Sequence, residues 1–188
     1  MSPEHASLPL SGILAFGSLI WEPGELVSLE KVGEVICTTP WPVEFGRSSR
    51  RRGWAPTLVK VRRGLKVRAR VLLYRDDPDH VEATLAKREG INLAKRPKDI
   101  KACLVPGVSV KPIWYSGLAP NITRPSPHCL ARLAIASVKP CPEGNGIRYL
   151  RECLKLSIRT SMTQAYRDEI LRITGQTNLE EAEQWASR

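Results

Sequence analysis

The sequence predicts an α+β fold. Strand-like apolar patterns crowd the first half of the 188 residues, helix-like ones fill the second, and the two do not alternate as they would in a doubly wound α/β sheet. A chain of this length buries a sizeable core, so one domain over 1–188 is expected, with a core of about 11–175. No apolar run reaches the roughly eighteen residues of a membrane span.

Residues 13–19 read as a buried strand and 31–38 as a second, which Pro40-Trp41-Pro42 keeps from continuing. Residues 47–56 hold too many Arg, Ser, Gly and Pro for an element interior and read as a basic loop. Residues 57–62 and 66–74 show apolar alternation and predict a hairpin about Arg63-Gly64. Leu58, Val67, Ala69, Val71 and Leu73 line its dry face, and Lys66, Arg68 and Arg70 its wet one.

Asp76-Asp77-Pro78-Asp79 opens a helix, with acids where the amino-terminal dipole favours them, and Gly90 closes it. Strand character returns at 102–105 and 108–115. Ser126-Pro127 starts a helix with Leu130, Ala134 and Val138 as its apolar stripe. After a loop at 140–146, Ile147, Leu150, Leu154 and Ile158 predict another. Capping boxes at Ser161-x-x-Gln164 and Asn178-x-x-Glu181 start the last two helices. About eight residues at each end are expected to be loose.

Charge and cysteine content bound the function. Of 29 basic residues, eleven fall within residues 45–75, which contain no acid; the remainder is 18 basic against 19 acidic. The whole net charge of +10 is therefore local and favours an anionic partner. Five cysteines, widely spaced and without a Cys-x-x-Cys pair, argue against a disulfide framework or zinc site and for a cytoplasmic location. Residues 1–5 hold an acid and no Lys or Arg, unlike the start of a signal peptide. His5, His80 and His128 have no ligand spacing, so no metal is expected.

Two places carry candidate chemistry. Gly17, without a Cβ, lets the backbone turn sharply and point amide donors at an anion, with the Ser18 hydroxyl beside them; the alternative is a plain tight turn ending a strand. Glu89 shares the line of Val81 and Leu85 and lies at a helix carboxyl end. Burial and the dipole there both favour the neutral acid, the direction a general base working near neutrality needs. The alternative is an exposed Glu paired with Arg88 or Lys87.

Phe16-Gly17-Ser18-Leu19-Ile20-Trp21-x-Pro23-Gly24 resembles the Tyr-Gly-Ser-Leu-Ile-Trp-x-Pro-Gly signature of ChaC-like gamma-glutamylcyclotransferases. Leu85-Ala86-Lys87-Arg88-Glu89-Gly90 is similar to the family's Leu-Asp-x-x-Glu-Gly, and Gly144-Asn145-Gly146-Ile147-Arg148-Tyr149-Leu150 to its Gly-x-Asn-x-x-Tyr-Leu. The three occur in the family's order over about 13–158. Phe16 stands where the family usually has Tyr, and Ala86 where many relatives carry an acid.

The resemblance implies a small closed or nearly closed β-barrel flanked by helices. It also implies cofactor-independent cyclisation of a gamma-glutamyl group, of glutathione or another gamma-glutamyl amide, to 5-oxoproline. Glu89 would be the catalytic acid/base, and Phe16, Gly17, Ser18 and Leu19 the binding loop. Arg47, Ser48 and Ser49 would meet a substrate carboxylate, and Tyr149 would offer a pocket hydroxyl. The rival reading is a basic nucleic-acid-binding module, because Arg47-Ser48-Ser49-Arg50-Arg51-Arg52-Gly53-Trp54 sets an aromatic beside an arginine cluster.

Overall fold

The computed structural model describes residues 11–188. In chain order its elements are β1 (Ser11–Ala15), β2 (Lys31–Thr38), β3 (Val43–Ser49), β4 (Ala55–Lys60), β5 (Arg68–Tyr74), α1 (Pro78–Glu89), β6 (Ile100–Cys103), β7 (Ile113–Ser116), α2 (Pro127–Ala136), α3 (Gly146–Lys155), α4 (Thr163–Thr174) and α5 (Leu179–Ser187). The fold is α+β. The expected looseness of the amino-terminal residues, the signal-peptide reading and His5 all lie outside the described residues.

The chain divides into two compact units, one made of the residues up to Pro40 with Ala69–Gly117, the other of Trp41–Arg68 with Leu118–Arg188. The first unit is built on a five-stranded mixed sheet in the order β2-β5-β1-β7-β6. β1 lies at its centre, antiparallel to β5 and parallel to β7, and all five of its residues are buried. A strand buried on both faces reads as a continuous apolar run rather than an alternation, as Ile13-Leu14-Ala15 does. Gly12 is required by crowding: a Cβ there would lie 2.8 Å from Val71 Cγ1.

The expected barrel closure is corrected by this sheet. β2 and β6 each have one strand neighbour, so the sheet keeps two edges. β6 is only four residues long, and β2 leaves Val32 and Ile36 exposed. Closure would have required these outer strands to pair with each other. α1 packs on β1, β6 and β7, burying Val81, Thr84, Leu85 and Ala86. Asp77 caps it, accepting from the Asp79 and His80 amides at 2.9 and 3.4 Å, and left-handed Gly90 ends it at φ 68°. Trp114 on β7 donates from Nε1 to the Pro78 carbonyl at 3.2 Å, which ties the start of the helix to the sheet.

The second unit pairs a β3–β4 hairpin with α2 to α5. The hairpin expected about Arg63-Gly64 does not form. β4 pairs with β3, β5 joins the sheet of the first unit, and beyond β4 the chain makes a single bridge, Leu65 to Val43. Alternation identifies a strand but not its neighbour. The loop expected at 47–56 is likewise half strand, and Arg50–Arg52 with the two residues after them form the turn.

Between Phe45 and Arg47 the ladder shifts register, a bulge at Gly46. The Gly46 carbonyl turns outward and accepts from the Asn121 and Ile122 amides at 3.0 and 3.1 Å. Two residues on, the Asn121 side chain accepts from the Ser48 amide at 2.6 Å and donates to its carbonyl at 3.1 Å, as a neighbouring strand would.

Helix starts are set by specific side chains. Ser126 caps α2 through the Cys129 amide at 3.2 Å, and Asn145 caps α3 through that of Arg148 at 2.9 Å. Asn178 caps α5 through the Glu181 amide as expected, while Glu181 reaches back to Thr177 instead of Asn178. The box expected at Ser161 and Gln164 is displaced by one residue. Thr163 Oγ1 accepts from the Thr160 amide at 2.7 Å, Thr160 Oγ1 accepts from the Met162 amide at 3.3 Å, and Ser161 instead donates to buried Glu44 at 2.6 Å. The Glu44 carboxylate also accepts from the amides of Phe45 and Met162, so a residue of β3 caps α4.

The carboxyl terminus is not loose. α5 runs to Ser187 with Leu179, Ala182 and Ala186 buried, and Glu183 bonds Arg151 and Asn145 of α3 and its cap.

At the surface of α4, Glu169 accepts from Arg172 and lies 2.7 Å from His128 Nδ1 on α2. These partners hold its pKa down at about 2, against an ordinary 4.5. A carboxyl lowered on folding adds stability above its unfolded value and loses it as pH falls through the folded one. Thermal melts of wild type and Glu169→Gln should therefore differ above pH 4.5 and converge as pH falls toward 2. A difference constant with pH would show that the contact is not ionic.

Candidate functional site

In the first unit, β1 ends at Ala15 and delivers Gly17 at φ 103° and ψ −144°. Side chains rarely adopt that backbone region, so position 17 requires glycine whether or not a ligand approaches. Ser18–Ile20 then form one turn of 3-10 helix. Its bonds use the amides of Ile20, Trp21 and Glu22 on the carbonyls of Gly17 and Ser18. The amides of Ser18 and Leu19 stand at the open amino end, as at the start of any helical turn. The Leu19 side chain is buried in the core, while Phe16 and Ser18 are half-buried.

Glu89 is the last residue of α1, and its side chain is 14% exposed. It pairs with Arg88 at 2.6 Å, with Arg88 exposed to the same small extent. The expected pairing with Arg88 forms, but the pair is withdrawn from solvent rather than displayed on the surface.

Sequence reasoning named Arg88 only as a partner for Glu89 and missed its link to the amino-terminal motif. Its Nη1 donates to Glu89, and its Nη2 donates to Ser18 Oγ at 3.1 Å and to the Glu22 carbonyl at 2.8 Å. Its stem lies against Gly24, where an added Cβ would meet Arg88 Cγ at 3.3 Å. Ser18 and Glu22 of the amino-terminal motif therefore converge on one guanidinium, which in turn holds the Glu89 carboxylate, while Gly24 leaves room for its stem. Its planar fork suits this, since one cation can bond several acceptors in fixed directions. The signal available was its place beside Glu89, but adjacency along a helix does not indicate a shared face.

The second unit holds the other candidates. Arg47 Nη1 donates to the Ala119 carbonyl at 2.9 Å. Ser48 Oγ donates to the Trp54 carbonyl at 2.7 Å, and Ser49 accepts from the Trp54 amide through its own carbonyl at 2.8 Å. Tyr149 is buried. Its ring makes an edge contact with Phe45 at 6.4 Å, and the Arg52 guanidinium lies 5.3 Å above it. Its hydroxyl accepts from the Leu58 amide at 3.3 Å, beside the register shift in β3.

The third motif has structural reasons throughout. Asn145 is a buried cap that also donates to the Pro142 carbonyl and Glu183. Gly146 permits α3 to meet α2, because a Cβ would fall 2.7 Å from the Ala134 backbone.

Two buried groups are held in their neutral forms. Burial pushes the Cys153 thiol far above its ordinary value and does the same to the Tyr166 phenol. Among the described residues no group of three or more His, Cys, Asp or Glu could hold a metal ion, and no helix is long and apolar enough to cross a membrane. Compared with known proteins, the chain matches no family model and no curated protein.

If the Tyr149 hydroxyl serves the Leu58 amide, Tyr149→Phe leaves a buried N–H without its acceptor. The expected loss is about 1–3 kcal/mol of unfolding free energy, measured as a lower urea midpoint at unchanged slope. An unchanged midpoint would mean that the amide is satisfied without the hydroxyl.

Proposed function

We propose that the chain is a gamma-glutamylcyclotransferase whose chemistry is carried by the first unit. The observation that supports this best is the Arg88 bridge, which couples the Glu89 carboxylate to the turn following Gly17. An acid/base and an anion-holding turn are the two protein parts this reaction asks for. The nucleophile belongs to the substrate.

In the proposed reaction, Glu89 takes a proton from the substrate α-ammonium. The free amine attacks the gamma carbonyl carbon, forming the C–N bond of a five-membered ring. The Ser18 and Leu19 amides stabilise the oxyanion or hold the α-carboxylate. As the intermediate collapses, the bond to the departing amine breaks and Glu89 returns the proton to that nitrogen, while the ring nitrogen gives up its second proton and the amine leaves as its ammonium. Holding the chain folded back on itself supplies much of the rate. Arg88 keeps the carboxylate oriented and places a positive charge near the substrate's own carboxylate. The cyclotransferase-like fold belongs to the same proposal, in a form with an open mixed sheet. Arg47, Ser48 and Ser49 belong to the second unit and are given no part in this reaction. Tyr149 fits less well, because its hydroxyl already has a partner.

The deciding measurement is release of 5-oxoproline from a panel of gamma-glutamyl compounds that includes glutathione. Glu89→Gln keeps an oxygen for Arg88 but removes its compensating charge and cannot carry the proton, so the melting temperature should fall and turnover, assayed below it, should fall by roughly 10²–10⁴-fold. No product from any substrate, or a Gln variant as fast as wild type, would overturn the proposal.

The turn is tested at Ser18 rather than Gly17, because Gly17→Ala is strained by its backbone alone. Ser18→Ala removes one acceptor of Arg88. It should lower kcat by about tenfold, the scale of losing one charge-assisted hydrogen bond, with KM little changed. A loss confined to thermal stability would leave Ser18 only a structural role.

A further inference from the structure

The tip of the β3–β4 hairpin is unusual in what it presents to solvent. Arg50–Arg52 form one 3-10 turn, followed by Gly53 at φ 59° and Trp54 at φ 70°. A bulky residue at positive φ is a genuine outlier, costly to hold. This one is also 56% exposed, so apolar burial offsets little of that cost. Backbone strain and an unburied indole coincide at one residue. That combination points to a role outside the folding of the hairpin itself.

The tip is also rigidly held. The Trp54 amide donates to the Ser49 carbonyl, and the Trp54 carbonyl accepts from Ser48 Oγ. Gly53 sits against the segment joining α2 to α3, with an added Cβ 3.0 Å from Pro140 and 3.1 Å from the Ser137 carbonyl. Arg52 donates to the Gly144 carbonyl at 3.2 Å, and Cys141 Sγ lies 3.7 Å from that of Arg51. The backbone is fixed on both sides, and the indole projects from it.

The tip is cationic, with Arg50 and Arg51 exposed beside Trp54; exposed Arg62, Arg63, Lys66 and Arg68 lie toward the other end of the hairpin, where Leu65 bridges Val43. Residues 45–75 contain no acid, and adjacent Glu44 is buried in its capping bonds. The acid of the supporting segment, Glu143, is paired with Arg148.

From these features we infer that the hairpin tip is a docking surface for single-stranded nucleic acid, with Trp54 stacking on an unpaired base and the arginines meeting the flanking phosphates. Single strands supply both groups at short spacing, a π-face for the indole and an anion for each guanidinium. A duplex keeps its base faces stacked away from the indole. A membrane surface asks for a broad apolar face behind the basic residues, whereas here one aromatic stands among guanidiniums. All of these residues belong to the second unit, so the surface stands apart from the cyclotransfer proposal.

The test is fluorescence anisotropy of a labelled oligouridylate of about 12 nucleotides, titrated with the full chain at several salt concentrations. Trp54→Asn is the informative variant, because Asn tolerates the left-handed region and removes only the aromatic. It should melt at or above the wild-type temperature and bind about tenfold more weakly, the scale of one lost base–aromatic stack, with the salt slope unchanged. Replacing Arg50 and Arg51 together by Ala should instead flatten the slope of log K against log salt by about 1.4, at about 0.7 for each phosphate contact. Equal affinity of Trp54→Asn and wild type, preference for a duplex of the same length, or no binding at low salt would each overturn the inference. So would Trp54-dependent capture by phosphatidylserine-containing vesicles without oligouridylate binding, which would reassign the tip to a membrane surface.

Discussion

A buried peptide group without a hydrogen-bond partner costs about 1–3 kcal/mol, and that constraint organises much of this structure. In the second unit the bulge at Gly46 interrupts the β3–β4 ladder, and the chain repairs the interruption on both sides. The Tyr149 hydroxyl covers the Leu58 amide, while the 121–122 amides and the Asn121 side chain cover β3. Glu44 and Asn145 act on the same principle at helix ends, each serving several groups at once. Buried Glu44 and Asn145 are therefore connectors between elements. Two residues of this scaffold, Tyr149 and Asn145, belong to a motif and also have structural partners.

In the first unit the same demand is met by a charge. Arg88 bonds a backbone carbonyl, a hydroxyl and a carboxylate, and is nearly withdrawn from water. A guanidinium in that position requires compensation, and Glu89 provides it. Removing either partner would leave the other charge uncompensated, so the pair is coupled to the turn after Gly17 as one arrangement. The motif's glycines have separate reasons: Gly17 adopts a backbone region closed to other residues, and Gly24 leaves room for the Arg88 stem.

Electrostatic and apolar patterning divide differently along the chain. The excess positive charge was visible as a composition shift in residues 45–75 and lies where the hairpin and its following turn stand exposed. What composition could not show was the backbone of Trp54, because positive φ at a bulky residue violates local preference. Only surrounding contacts hold it there. Strain of this kind is invisible to any reading based on propensity.

The sequence by itself determined the features that depend on short-range physics. The bounds of β2, the Asp77 cap and Gly90 stop of α1, the Ser126 and Asn178 caps and the buried run of β1 arise from residues within a few positions of one another. The tertiary structure decided which strand pairs with which. Periodicity marks a strand's faces without naming its neighbour; β4 therefore took β3, β5 took β1, and the sheet stayed open. It also decided what each candidate side chain touches. Glu89 was legible from its stripe, but its link to Ser18 runs through Arg88, 70 residues from that serine in the chain. Tyr149 was legible as a packed aromatic, whereas its hydroxyl partner lies 91 residues distant. Contacts at such separations are set by the packing of whole elements, and no local pattern encodes them.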